Sequence, residues 1–335
     1  MGESMSLTGH LKDPASPIRS FMEEHFPRSN KPWSKWNKTT GPTELHDGDW
    51  EVVDAQTSLC IERQTLRHMS PPLPTLLPNF ELGYPWVIAG TAIDYRIRFF
   101  FDTPQPEKLI AEQGAAILPS LLGQPCKSVR YYDELKQVLT VLTCDNDLRG
   151  RLLDEGMEVE LCRLCICLAL FDPVFRAGAV APLDSIPLDS PLEALLSLVK
   201  SAVVDDVVAL SARFYQTQRD LLEGRIFHLN PNFGSYSRLI GGADADLIVD
   251  SVLIDIKTKK SFSITQQDLW QLIGYLLLDR DDEYEIKELG IYMTRQGVLY
   301  KWAVDEFLFR LSRIKRTTAQ WRADFYKLAK NLERP

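Results

Sequence analysis

The chain has 335 residues, of which 45% are hydrophobic and 25% charged, and its formal net charge is −8 at neutral pH. That length is enough for a large core and for more than one domain. The acidic balance excludes a protein whose whole surface binds polyanions, so any contact with nucleic acid must use a local basic face. Cys60, Cys126, Cys144, Cys162, Cys165 and Cys167 form no disulfide framework for a chain this size, which fits a reducing compartment, and the expected location is cytoplasmic. Residues 1–50 contain no apolar core of signal-peptide type. The longest apolar run, around residues 164–171, is far too short to span a bilayer, so no membrane partner is expected.

Residues 1–51 are polar, with one predicted helix at Pro17–His25, where Ser16 suits the cap and Pro17 the first turn. Trp33 and Trp36 lie among Lys31, Lys35 and Lys38. Such interleaving can grip a single strand by stacking, but an arm docking its tryptophans on the rest of the protein is the favoured reading. Ser70-Pro-Pro-Leu-Pro-Thr, with Pro78 and Pro85 beyond it, reads as a stiff connector. The apolar segment 85–101 predicts a buried helix that carries Asp94, Arg96 and Arg98. Asp94 is either half of an internal ion pair or an acid contributed to a distant site. Apolar positions recur at helical spacing in 109–122, 132–142, 148–170, 191–204 and 209–222. Cys162-Arg-Leu-Cys165-Ile-Cys167 falls inside such a pattern and lacks a partner pair, so core packing is favoured over a metal knuckle.

After Gly224 the texture turns to β, with strands predicted at 225–229, 237–240, 289–294 and 298–302, and a hairpin turn at Arg295-Gln296-Gly297. Between them lies the most informative stretch, GGADADLIVDSVLIDIKTKKSFSITQQDLWQLIGY at 241–275. Val249-Asp250-Ser251-Val252 reads as the tight turn of an antiparallel hairpin. Alternation puts Asp244, Asp246 and Ile248 on one face of the first strand, and Leu253, Asp255 and Lys257 on one face of the second. Carboxylates and a lysine gathered in an apolar sheet are unfavourable unless something binds there. A divalent metal is the reading that fits them best. In the next helix Thr265 and Asp268 have the spacing of a capping box, while Gln271 and Tyr275 form a polar stripe beside apolar Leu269, Leu272, Ile273 and Leu276. The order of elements predicts an α/β core with a mixed sheet.

An acid on one strand followed by acid–x–Lys on the next suits metal-dependent phosphodiester hydrolysis. Mg²⁺ takes oxygen ligands and keeps several waters, so two carboxylates, a backbone carbonyl and a substrate phosphate suffice. Asp246 and Asp255 are the expected ligands, Ile256 the carbonyl donor, and Lys257 the cation that positions the attacking water. Acid–x–Lys also occurs at Glu134–Lys136 and Glu285–Lys287, but neither has an acid-bearing strand before it.

With these residues in place, the segment resembles the PD-(D/E)xK nuclease superfamily, and within it the RecB-like branch. GGADADLIV is similar to that branch's Gly-x-x-Asp strand motif, LIDIKT to its Asp-x-Lys-Thr motif, and Gln271-Leu-Ile-Gly-Tyr275 to its QxxxY helix. Gly90-Thr-Ala-Ile-Asp94 is similar to the first helical motif, with Asp where the family usually has His. The resemblance covers about 50 residues near 244–295 plus the segment near Gly90. It implies a three-layer α/β core with a mixed sheet flanked by helices, Mg²⁺ or Mn²⁺ as cofactor, and DNA as the usual substrate, with roles in defence, recombination or repair. Some relatives carry an iron–sulfur cluster on cysteines after the QxxxY helix; none follows Cys167 here, so no cluster is expected. Asp244 fits the Gly-x-x-Asp spacing and Asp246 the short distance to Asp255; Asp246 is the favoured ligand, with Asp244 in a supporting or second-metal role.

The resulting division has an amino-terminal arm and connector at 1–84, a helical region at 85–222, the nuclease core at 223–304 and a basic terminal helix at 305–335. The helical region is assigned to targeting or assembly. Lys259 and Lys260 beside the site, and Arg313, Lys315 and Arg316 in the basic segment, are the expected nucleic-acid contacts. A protein partner that guides or activates is a further expectation from the acidic balance. The alternative to a nuclease is a catalytically silent binding or scaffold subunit on the same fold.

Overall fold

The computed structural model describes residues 6–27, 73–78, 83–124, 128–144, 146 and 148–332. Trp33, Trp36 and their neighbouring lysines, Cys60 and Cys126 lie outside the described residues. The chain divides into two units, one of Met1–Leu73 with Gly224–Pro335 and one of Pro74–Glu223. The amino-terminal helices therefore group with the sheet, whereas the sequence placed residues 1–84 apart from it.

Two short helices open the first unit. α1 (Leu7–Lys12) starts at Ser6, whose hydroxyl accepts the Gly9 N–H. α2 (Pro17–His25) has the predicted bounds and cap, with the Ser16 hydroxyl accepting the Ile18 N–H at 3.2 Å.

The second unit is helical among its described residues: α3 (Trp86–Phe99), α4 (Ile110–Leu121), α5 (Arg130–Cys144), α6 (Glu155–Ala169), α7 (Asp172–Ala177), α8 (Leu192–Leu196), α9 (Ser201–Thr217) and α10 (Arg219–Leu222). Two predicted helices are shorter than their apolar patterns. The pattern over 148–170 becomes helical only at Glu155, because the Asp154 carboxylate accepts the Met157 N–H and caps there. The pattern over 191–204 breaks after Leu196, where Leu198 and Val199 close the turn with bonds to the carbonyls three residues back. Arg96 on α3, Glu158 on α6 and Ser211 on α9 meet in the core of this unit; Arg96 bonds both oxygens of Glu158, and Ser211 donates to Oε1 at 2.6 Å. Cys162, Cys165 and Cys167 are buried in α6, and burial pushes their thiols above the ordinary range. They are core residues, as their helical setting predicted.

The chain then returns to the first unit with β1 (Phe227–Leu229), α11 (Ser235–Leu239), β2 (Leu247–Val249), β3 (Val252–Lys257), α12 (Gln266–Leu278), β4 (Glu288–Met293), β5 (Val298–Ala303), α13 (Val304–Ser312) and α14 (Thr318–Leu332). The strands form one mixed sheet in the order β1-β2-β3-β4-β5, antiparallel throughout except for the parallel pair β3–β4. A parallel pair needs a crossover connection, and α12 lies in it. The fold is therefore mixed α/β, as expected. The strand predicted at 237–240 is instead the end of α11 and the turn after it. Gly234 takes φ of 57° there. The Ser237 hydroxyl accepts the Phe233 N–H and donates to the Ala243 carbonyl, closing the loop on itself. Among the described residues no helix is long and apolar enough to cross a membrane.

Register places Ile248, Leu253, Asp255, Lys257, Leu289, Ile291, Met293, Tyr300 and Trp302 on one face of the sheet. The apolar members of that face share a core with Leu269, Leu272, Ile273 and Leu276 of α12, with Leu7 and Leu11 of α1, and with Trp321 and Phe325 of α14. Asp255 and Lys257 thus point to the core side, under α12. α1 braces the same helix from its other flank. The Leu7 N–H donates to the Gly242 carbonyl at 3.0 Å, and a Cβ on Gly274 would lie 2.7 Å from a Leu7 methyl. Glycine is needed at 274 for that close approach.

Gly274→Ala is expected to destabilise the fold by about 1–3 kcal/mol through overpacking, against the gain of up to about 1 kcal/mol that Ala brings to a helix interior. Leu7→Ala, which empties a buried site, should lose about 2–5 kcal/mol. In the Leu7→Ala background the Gly274→Ala penalty should vanish; denaturant unfolding of the two single variants and the double variant measures this coupling, and simple additivity would reject the contact.

Candidate metal and phosphodiester site

The β2–β3 turn sets the geometry of the site. Asp250 and Ser251 take φ of 45° and 69°, the left-handed pair that a two-residue hairpin turn requires. Asp250 is held there because its carboxylate accepts the N–H groups of Arg225 and Ile226. The turn fixes Val249 against Val252, Ile248 against Leu253 and Leu247 against Ile254. One step further, just ahead of β2, Asp246 comes level with Asp255. Its Oδ2 accepts the Ile256 N–H at 2.6 Å, and its own carbonyl accepts from Asn230. Ile256, the expected carbonyl donor, thus presents its amide to the first carboxylate.

Asp244 lies further out, where residue 244 forms an isolated bridge with Asn232. The first strand is shorter than the alternation suggested, because the paired run starts only at Leu247.

Lys257 ends β3 and gathers the rest. Its ammonium lies 2.7 Å from Asp255 Oδ2, donates to Asp255 Oδ1 at 3.0 Å and to Gln271 Oε1 at 2.8 Å, and stands 4.0 Å from Asp268 Oδ1. Gln271 Nε2 in turn donates to the Tyr275 hydroxyl at 2.6 Å. Five predicted residues, Asp246, Asp255, Lys257, Gln271 and Tyr275, are therefore brought together. α12 presents the last two because its start is fixed by the predicted capping box, in which Thr265 and Asp268 bond reciprocally.

Burial sets the electrostatics. Asp255 is 1% exposed. Desolvation pushes its carboxyl up to about 7, Asp246 and Asp268 add to that rise, and Lys257 opposes it. Burial pulls on Lys257 in the opposite sense, but Asp255, Asp246 and Asp268 outweigh it and hold the ammonium charged. Burial, then the charges of Asp246 and Asp255, keeps the Tyr275 phenol protonated far above neutrality. Asp244 adds a smaller push on the same phenol, which places it within electrostatic reach of the site.

Among the described residues no three His, Cys, Asp or Glu side chains converge as a ready-made metal cage. The donor set nevertheless fits Mg²⁺ or Mn²⁺, which is held by one or two carboxylates with waters and substrate phosphate completing the sphere. The fit rests on Asp255 Oδ2, which is buried and, although close to the ammonium, lacks a hydrogen bond of proper geometry.

The other predicted residues have the following partners. Asp94, on α3 of the second unit, is ion-paired with Arg98. Lys259 bonds Asp268 and the Ser263 carbonyl, and Lys260 is exposed on the loop after β3. Arg313 and Lys315 are exposed between α13 and α14, whereas Arg316 is engaged by Asp324 and stacks over Trp321. Of the two other acid–x–Lys tripeptides, Glu134–Lys136 lies in α5, where Glu134 pairs with Arg130 and Lys136 with Glu112. Sequence reasoning read Asp268 as a cap alone and missed α1 altogether. The signal for the first was present, since Asp268 sits one turn before Gln271.

The raised Asp255 carboxyl carries a pH consequence for the metal-free protein. The folded state holds this proton up to about pH 7, while the unfolded chain releases it near the ordinary Asp value of about 4. The stabilisation is thus complete below about pH 4 and is lost as pH rises towards 7. Thermal melting of wild type beside Asp255→Asn should show wild type losing more stability over that window; equal slopes would remove the buried-acid assignment.

No protein-family model matches the chain, and no curated protein or solved structure matches it either.

Proposed function

We propose that the chain is a metal-dependent nuclease that hydrolyses phosphodiester bonds in DNA, built on a three-layer core of the PD-(D/E)xK type. The observation that carries this reading is the convergence of Asp246, Asp255, Lys257, Gln271 and Tyr275 from a hairpin and the following helix. The mixed sheet, with α12 packed on the face that bears the acid and the lysine, supports it. Asp246 and Asp255 would hold Mg²⁺ or Mn²⁺, with Asp244 in support. Bound there, the metal would polarise the phosphate and lower the pKa of a coordinated water.

The chain's own residues supply the remaining requirements. Lys257, held charged between Asp255 and Gln271, offers an N–H to the phosphate or to the attacking water. Gln271 fixes that ammonium and donates one amide N–H to Tyr275. Tyr275 accepts this bond, so its phenolic proton is left to donate to substrate. Lys259, Lys260, Arg313 and Lys315 provide the local basic contacts that an acidic chain needs for DNA. Defence against foreign DNA, recombination and repair are the settings this reading suggests, in the cytoplasm and with a protein partner as guide or activator. No iron–sulfur cluster is part of it.

A catalytically silent nucleic-acid-binding or scaffold subunit is the second reading. One observation favours it: the Lys257 ammonium stands within 3.0 Å of both Asp255 oxygens, an ion pair that needs no metal to be balanced.

Purified protein incubated with Mg²⁺ or Mn²⁺ and linear, circular or single-stranded DNA separates the two. Wild type is expected to cleave, and Asp255→Ala and Lys257→Ala should each lose about 100-fold or more of the rate, the scale seen when one charge-stabilising group is removed. Cleavage unchanged in both variants would reject the site. DNA binding without cleavage in wild type would select the silent subunit.

A further inference from the structure

The geometry points to one more member of the site: Asp268, on the first turn of α12, is a positioning residue that holds Lys259 beside Lys257 to receive a phosphate of the substrate strand. This rests on the nuclease reading and names a part of its substrate grip.

An acid at the third position of a capping box has one ordinary task, to accept the backbone N–H of the cap residue. Asp268 is 6% exposed and does more. Its Oδ2 accepts the Thr265 N–H at 2.6 Å and the Thr265 hydroxyl at 2.7 Å, and also takes the Lys259 ammonium. Its Oδ1 faces the Lys257 ammonium at 4.0 Å. Lys257 and Lys259 therefore converge on one carboxylate. Two ammonium groups gathered under a helix repel, and the negative charge between them offsets that repulsion.

Donor counting gives the pair a use. An ammonium has three N–H donors. Lys257 gives one to Asp255 and one to Gln271; Lys259 gives one to Asp268 and one to the Ser263 carbonyl. Among these bonds one donor on Lys259 is unspent, while the Lys257 ammonium also stands 2.7 Å from the second Asp255 oxygen. The Lys259 side chain keeps 27% of its surface exposed, so its donor has an open side. The free N–H of Lys259, held by Asp268 beside the Lys257 ammonium, forms a grip for phosphate oxygens, adjoining the pair Asp246 and Asp255.

Four variants test this: Asp268→Asn, which keeps an acceptor for Thr265 but removes the charge; Thr265→Ala, which removes the cap but keeps the charge; Lys259→Ala; and Asp268→Asn with Lys259→Ala. In metal-free protein, acetylation of Lys259 read by mass spectrometry, with exposed Lys315 as reference, should speed up in Asp268→Asn and stay slow in Thr265→Ala. Anisotropy of labelled DNA in EDTA should show about tenfold weaker binding, equivalent to about 1.4 kcal/mol, for Asp268→Asn and for Lys259→Ala. The double variant should be no weaker than either, as expected of residues acting through one contact. Lys259→Ala should also lower the salt slope by about 1. Thr265→Ala should lower the melting temperature and weaken binding less than Asp268→Asn does.

Lys259 acetylation unchanged in Asp268→Asn, multiplicative losses in the double variant, or an equal loss of affinity in Thr265→Ala would each overturn the assignment. Wild type that binds DNA with this Lys259 dependence but cleaves nothing with Mg²⁺ or Mn²⁺ would remove the nuclease reading and keep the grip. Wild type that cleaves, with Asp268→Asn equal to it in cleavage and binding, would keep the nuclease reading and remove the grip.

Discussion

The rest of the first unit depends on one constraint: β3 turns a carboxylate and an ammonium towards the core. Asp255 and Lys257 share a face with Leu253, so the alternation that buries the leucine also buries the pair. Removing either charge from water is unfavourable unless hydrogen bonds and an opposite charge replace the water. The pair supplies the opposite charge, and α12 supplies the hydrogen bonds through Gln271, with Asp268 one turn earlier adding a second charge within 4.0 Å. α12 can do so only if its start and its height over the sheet are fixed. The capping box fixes the start. Leu7, wedged at Gly274 and tied to Gly242, fixes the height. A helix at the beginning of the chain therefore has a stake in a site built more than two hundred residues later.

What the sequence made legible follows from how local each signal is. The turn at Asp250-Ser251, the alternation along β3, the Thr265–Asp268 box and the Gln271–Tyr275 spacing are each fixed within a few residues, and all were readable. α2 was readable for the same reason, since its cap and first-turn proline sit side by side. The misses are of another kind. Residues 237–240 have strand-like composition, but a serine hydroxyl closing on a carbonyl six residues away turns them into helix and loop. The second unit's helices end where a cap or a tightened turn intervenes, which apolar periodicity does not register. The grouping of residues 6–27 with the sheet depends on packing across the whole chain, and no window of sequence carries it.

Two buried acid–base pairs in the same chain surround their carboxylates in different ways. In the second unit, Glu158 meets Arg96 through both oxygens, and Ser211 and the Leu153 N–H add two further donors. Burial alone would raise that carboxyl, but Arg96 and the added donors outweigh it and hold it below the ordinary range. Both oxygens of that carboxylate are bonded, while Arg96 Nη1 is left buried without a hydrogen-bond partner, and a cation brought near would meet a carboxylate with its lone pairs engaged.

Asp255 is as deeply buried and is treated in the opposite way. A single lysine faces it, one of its oxygens has no properly directed donor, and the second carboxylate, Asp246, stands level with it and raises its pKa further. A fold that needed only stability would supply another donor, as it does at Glu158, or an apolar residue, which often serves stability as well or better. Holding Asp255 beside a second carboxylate with a lysine as its one facing cation is unfavourable in the empty protein, and a divalent cation bound there would relieve it. The scaffold reading accounts for the charges on β3 but gives no reason for that deficit. The proposed metal site would give one, and the contrast with Glu158 is drawn within one chain, where differences in overall composition cannot explain it.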